Sequence, residues 1–87
     1  MPYVLVRHKV ADFGKWKPAY DAHKSMRVAA GFKEGQVLRN VDSPNEVIVF
    51  LECTDLAKAR AFISSADLQN AMQKSGVVDK PSIFLLQ

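Results

Sequence analysis

An α+β domain of element order βαββαβ is predicted by three features of the sequence. Residues 3–10 alternate as a strand, Phe13, Trp16, Tyr20, His23 and Arg27 recur at helical spacing, and two further strand patterns flank Ser43-Pro44-Asn45 ahead of more helix and a closing apolar strand. This order specifies an architecture more closely than a chemistry, because unrelated functions share such small scaffolds.

The first strand, Tyr-Val-Leu-Val-Arg-His-Lys-Val, places Val4, Val6, His8 and Val10 on one face and Tyr3, Leu5, Arg7 and Lys9 on the other. The Val-rich set should face the helices. Asp12 is the expected N-cap of the first helix. The aromatic stripe lies opposite Lys17, Asp21 and Lys24, and Pro18 should loosen the first turn before regular helix continues to about Ala30 and stops at Gly31. Strand two is expected over residues 33–41 and strand three over 46–53, joined by the turn residues Asp42-Ser43-Pro44-Asn45 as an antiparallel hairpin. Thr54 or Asp55 should cap a helix through Leu56, Ala59, Phe62 and Ile63. Ser64-Ser65 interrupts it, and a capping pattern with Asp67 starts a second stretch through Leu68, Ala71 and Met72 to Gly76. Residues 82–86 form the last strand.

The chain has 87 residues, 48% hydrophobic and 24% charged, and reads as one globular domain over residues 1–87. Its start runs directly into strand pattern without the segments of a secretory signal, and no apolar run approaches the roughly 20 residues of a membrane helix, so a cytoplasmic protein without a membrane partner is expected. Cys53 stands alone, which excludes an internal disulfide and a multi-cysteine metal site and reads as a small buried hydrophobe or a lone reactive thiol. The net charge of +3 comes from twelve Lys and Arg spread from Arg7 to Lys80, a pattern of solubility more than of anion binding.

Right-handed crossovers give the ferredoxin-like strand order 4-1-3-2 with both helical regions on one face. Tyr3, Leu5, Ile48 and Phe50 then occupy the other face beside Arg7, Lys9 and Glu52, with Arg7 and Glu52 on adjacent strands, able to pair across the sheet or across an interface between two copies. Such a face is too apolar for open water. Two copies packed through it would bury roughly 2,000 Å² or more, so a homodimer closing into a sheet-lined barrel is expected.

The segment Val6-Arg-His-Lys-Val-Ala-Asp-Phe-Gly-Lys-Trp-Lys-Pro, the hairpin Pro44-Asn-Glu-Val-Ile-Val and the run Lys58-Ala-Arg-Ala-Phe-Ile-Ser-Ser-Ala-Asp-Leu-Gln-Asn-Ala-Met resemble the dimeric α/β-barrel superfamily. More narrowly, they are similar to small bacterial proteins near the antibiotic-biosynthesis monooxygenases. The resemblance spans the chain and implies a cofactor-independent enzyme acting on a small aromatic or polyketide-like compound held between sheet and helices. Members of the superfamily also include polyketide cyclases, muconolactone isomerases and haem-degrading enzymes. Trp16, Tyr20, His8, His23, Asn40 and Arg39 are of the residue types the monooxygenases use, while Asp67 and Leu68 stand where several members carry a histidine or aromatic.

His8 is the expected catalytic residue, since it interrupts a valine face where an imidazole could move a proton; the plainer role is a histidine hydrogen-bonded to backbone or to Tyr20. Trp16 and Tyr20, with Phe13, either wall a flat ligand or only pack the helix on the sheet. His23 is a further substrate-binding candidate on the same stripe. The helix carries it roughly 16 Å beyond Asp12, toward Val4, which separates it from His8 and argues against a metal pair. Arg39 either holds a carboxylate or phenolate or is a solvated edge-strand arginine. No nucleotide loop, nucleophile elbow or zinc motif is present, so no cofactor and no metal are expected. The same topology builds RNA-recognition domains, but Glu46 and Glu52 on the open face would repel phosphate, so no nucleic-acid partner is expected. Three functions remain: the enzyme just described, a non-catalytic small-molecule-binding homodimer, and a structural module with a filled core.

Overall fold

The computed structural model describes residues 2–87, apart from the side chain of Glu34. Its elements are β1 (Tyr3–Lys9), α1 (Phe13–Ala22), α2 (Lys24–Ala29), β2 (Phe32–Arg39), β3 (Glu46–Cys53), α3 (Leu56–Ile63), α4 (Ala66–Lys74) and β4 (Ser82–Leu86). The strands form one four-stranded antiparallel sheet in the order β2-β3-β1-β4, which is the expected 4-1-3-2 order.

The period-two pattern of the central strands decides which face is covered. Val4, His8 and Val10 from β1 and its extension, and Val47, Val49, Leu51 and Cys53 from β3, are buried beneath the helices. Trp16 of α1 and Ala59 of α3 close the core from the helical side. On the other face Tyr3 stacks on Phe50 with centroids 5.2 Å apart, while Leu5 lies between Phe50 and Phe84 in the register. Leu38, Phe84 and Leu86 on that face are 50%, 53% and 40% exposed. Within the sheet Arg7 pairs with Glu46 at 2.8 Å and not with Glu52. The register explains this: Arg7 is opposite Ile48, two residues from Glu46, whereas Glu52 is opposite Tyr3. Asn40 and Arg7 both donate to Glu46 and hold its carboxyl below its ordinary value.

The first helical region differs from the continuous helix expected. Asp12 caps it, accepting from the Gly14 N–H at 2.8 Å, and the Asn45 side chain ties the same turn to the β2–β3 hairpin by accepting from the Phe13 N–H. The first turn is regular despite Pro18, whose missing N–H costs only an exposed hydrogen bond. The interruption falls at His23. In an unbroken helix the His23 N–H would reach the Ala19 carbonyl, but the His23 ring takes that carbonyl at 2.9 Å and the backbone N–H turns to Tyr20 O at 3.2 Å. Lys17 and Asp21 pair on the outward face at 2.7 Å.

Remaining boundaries follow local hydrogen bonds. β2 ends at Arg39, two residues before the expected end, because Asn40 begins the turn, its side chain accepting from the Asp42 N–H at 2.9 Å. Asp55, not Thr54, caps α3, and Ser65, not Ser64, caps α4. Gly31 ends α2 with φ +87°, a conformation that favours glycine. β2 meets β3 across a register shift between Lys33 and Gln36, and Gly35 sits inside it. A Cβ at Gly35 would lie 1.9 Å from the Phe50 carbonyl oxygen, an approach no side chain permits. Gly35→Ala should therefore destabilise the domain by about 2 kcal/mol or more, a fall in Tm of about 10 °C in thermal unfolding.

Candidate functional site

A cavity of about 90 Å³ lies between the helix-covered sheet face and the helices. Val4, Val6 and His8 of β1, Val49 and Leu51 of β3 and Ile83 of β4 form its floor. Trp16 and Tyr20 of α1, His23, Arg27 of α2, Phe62 and Ile63 of α3, and Leu68 and Met72 of α4 contribute to its walls. The lining is almost wholly carbon, so the few polar groups that reach it decide its chemistry.

Helical spacing on α1 and α2 builds the wall. Phe13 and Trp16 are 5.8 Å apart, Trp16 stacks on Tyr20 at 4.9 Å, and the Arg27 guanidinium lies over the Tyr20 ring at 3.7 Å. Each contact is worth on the order of 0.5–2 kcal/mol. Arg27, 6% exposed, also donates to the Tyr20 carbonyl at 2.6 Å.

The imidazole of His8 is 3% exposed and meets Trp16 edge-on at 5.5 Å. Its Nδ1 is buried and has no hydrogen-bond partner among the described residues. Burial pushes its pKa below the ordinary 6.5; an interaction with its own backbone and the charge of Asp79 oppose this, and Arg7 adds to it. Desolvation is the largest of these effects and sets the downward direction.

Of the residues expected in the site, His8, Trp16, Tyr20 and His23 all line the cavity. Phe13 does not; it supports Trp16 from outside. Arg39 is also elsewhere: its guanidinium lies over Phe13 at 4.0 Å and its Nε donates to the Pro44 carbonyl at 2.8 Å, at the far end of the aromatic column. Its register partner is Val47, which directs it to the helix side of the sheet but beyond the cavity. Asn40 is engaged in the hairpin turn. The cavity's buried cation is instead Arg27, whose only signal in the sequence is its place at the end of the aromatic stripe. Burial, with Asp55 and Glu52 nearby, pushes the Cys53 thiol up, and its buried side chain packs in the core. Among the described residues no group of three or more His, Cys, Asp or Glu converges, and no helix is long and apolar enough to cross a membrane.

No protein-family model matches the chain and no curated protein matches its sequence. Solved structures do match it over nearly its full length. A proposed antibiotic biosynthesis monooxygenase from Bordetella bronchiseptica superposes with a TM-score of 0.81 at 13% identity, covering 99% of this chain and 94% of that one. SnoaB, a cofactor-independent oxygenase from Streptomyces nogalater, does so with a TM-score of 0.71 at 13% identity, covering 99% and 92%. A further proposed antibiotic biosynthesis monooxygenase, from Caulobacter crescentus CB15, gives 0.71 at 15% identity, covering 98% and 86%. The fold is therefore the ferredoxin-like fold of the antibiotic biosynthesis monooxygenase-like proteins.

The depressed pKa of His8 carries a stability consequence. Between its folded value and 6.5 the unfolded chain holds more protons at this position than the folded one, so stability is full above about pH 6.5 and drains as pH falls below it. His8→Leu should flatten that part of the Tm–pH curve between about pH 7.5 and 5, relative to the unsubstituted protein.

Proposed function

We propose that the protein is a cofactor-independent enzyme acting on a small aromatic or polyketide-like compound, with His8 as its base and a homodimer as its working form. The observation that carries this reading is the buried His8 imidazole, with its unpartnered Nδ1, at the wall of an otherwise apolar cavity faced by Trp16 and Tyr20. A neutral, desolvated imidazole suits a general base near neutral pH.

The chemistry follows from that base. His8 removes a proton from an acidified position of a phenolic or enolisable ring, and the resulting carbanion gives electrons to dioxygen, forming a C–O bond. The peroxide anion takes the proton back from His8, and the resulting hydroperoxide loses water with the remaining hydrogen of that carbon, leaving a carbonyl, so that one O₂ is consumed and one oxygen atom stays in the product. Trp16 and Tyr20 offer a flat stacking surface, and the cation of Arg27 favours the anionic intermediate.

Cavity size sets the access route. Pockets for drug-sized ligands occupy roughly 300–1,000 Å³, so the present 90 Å³ admits only a small ring. An open groove of about 430 Å³ lies beyond α4 and shares Ile63, Leu68, Met72 and Ile83 with the cavity. Helix α4 buries no residue fully, so its outward displacement is the least costly way to join the two spaces.

A structural module with a filled core would leave no cavity beside Trp16 and His8, which disfavours that reading. A non-catalytic binding dimer is the second reading, and Leu68 on the cavity wall, which supplies no proton-transfer group, favours it. Oxygen uptake and product analysis with hydroquinones and enolisable polycyclic ketones separate the two. His8→Ala should lower turnover by about 10²–10⁴-fold. Its Tm should move by only a few degrees, because deletion also removes an unpaired buried nitrogen. Saturable binding without product would support the second reading.

The homodimer is supported by the apolar face of Tyr3, Leu5, Leu38, Ile48, Phe50 and Phe84, which the chain itself leaves uncovered. Sedimentation equilibrium at micromolar concentration should give twice the chain mass of 9.7 kDa. Phe50→Glu should give a monomer; a monomeric unsubstituted protein would contradict the assignment.

A further inference from the structure

We infer that His23 selects the ligand by accepting a hydrogen bond at Nε2 from a hydroxyl group on the bound ring. This inference rests on the cavity being a ligand site and adds what that ligand must carry.

His23 stands at the break between α1 and α2. His23 Nδ1 lies 2.9 Å from the Ala19 carbonyl oxygen. A carbonyl can only accept, so Nδ1 carries a proton, and in the neutral form of the ring the lone pair lies at Nε2. The tautomer is locked because the competing donor is absent: the backbone N–H of His23 has turned to Tyr20 O. The ring's anchor is thus the backbone of α1 one turn earlier, and α1 is itself fixed by the buried Trp16. Nε2 has no hydrogen bond or ion pair among the described residues, and the ring stands on the wall of the cavity.

A fixed acceptor in a wall of carbon discriminates by chemistry. A phenol or hydroquinone satisfies it, whereas a methyl ether of the same ring leaves the nitrogen without a donor, and sites that must hydrogen-bond a substrate hydroxyl reject analogues lacking it. The same rule acts on the product. Where oxidation turns a donor hydroxyl into a quinone carbonyl, two acceptors face each other and the contact that held the substrate no longer forms. His23 therefore favours the reduced, hydroxyl-bearing partner of such a pair and helps to release the oxidised one.

Trp16, the single tryptophan of the chain, reports binding through its fluorescence. Titrations of the full chain with phenol and anisole should give about tenfold tighter binding of phenol, and His23→Leu should bring the two affinities together while Lys17→Ala, on the outward face of α1, leaves their ratio unchanged. Side-chain ¹⁵N spectra of the unsubstituted protein at about pH 8 should show His23 protonated at Nδ1, with the Nε2 resonance moving on addition of phenol and not of anisole. A preference that survives in His23→Leu, equal saturable binding of the two probes, or an Nε2–H tautomer would overturn this inference alone. Failure of both probes to bind would overturn the ligand-site reading, and the inference with it.

Discussion

The structure depends on how one helical stripe meets one valine-rich sheet face. Had α1 and α2 offered leucines and isoleucines at positions 16, 20, 23 and 27, branched aliphatic side chains could have interdigitated with Val4, Val6 and Val49 at interior density. They offer Trp16, Tyr20, His23 and Arg27 instead. These groups are flat, and they satisfy one another along the helix: indole on phenol, guanidinium on phenol, imidazole on the backbone of the preceding turn. What they gain from one another they do not give to the sheet, and the shortfall appears as the cavity. Docking α1 and leaving room beneath it are two results of the same packing.

The two histidines show how the same residue type acquires different roles from its setting. His8 reaches the cavity from a strand, where alternation leaves it no choice but the buried face, and its Nδ1 finds no partner there. His23 reaches it from a helix junction that its own ring creates. One ring is desolvated and the other is tied to a carbonyl. The opposite sheet face has no such specialisation. Its aromatic and aliphatic groups, framed by the Arg7–Glu46 pair, are suited to association with a matching surface.

Much of this was legible in the sequence because it arises from periodicity. Alternation placed His8 with Val4 and Val10, the spacing of three and four put Trp16, Tyr20 and His23 on one side of a helix, and turn residues located the β2–β3 hairpin. What escaped depends on side chains bonding to backbone, which no period records. The break at His23 needs a ring to capture Ala19 O. Arg39 has the residue type for anion binding, yet the Pro44 carbonyl and the Phe13 ring occupy it. Spacing alone places Arg27 on the aromatic stripe, and its burial over the Tyr20 ring is not recorded in that spacing. The partner of Arg7 is set by strand register, which shifts Glu52 out of reach.

The central claim is that flat side chains on α1 and α2 leave an accessible apolar space against the sheet. Xenon is the most direct probe, since it enters such spaces without needing a polar partner. Methyl-resolved NMR under xenon pressure should show saturable shifts confined to methyl groups that line the cavity, those of Val4, Val6, Val49, Leu51, Leu68 and Ile83 among them. A response that is absent, or that rises linearly on every surface methyl, would mean that the core is filled and would contradict the account.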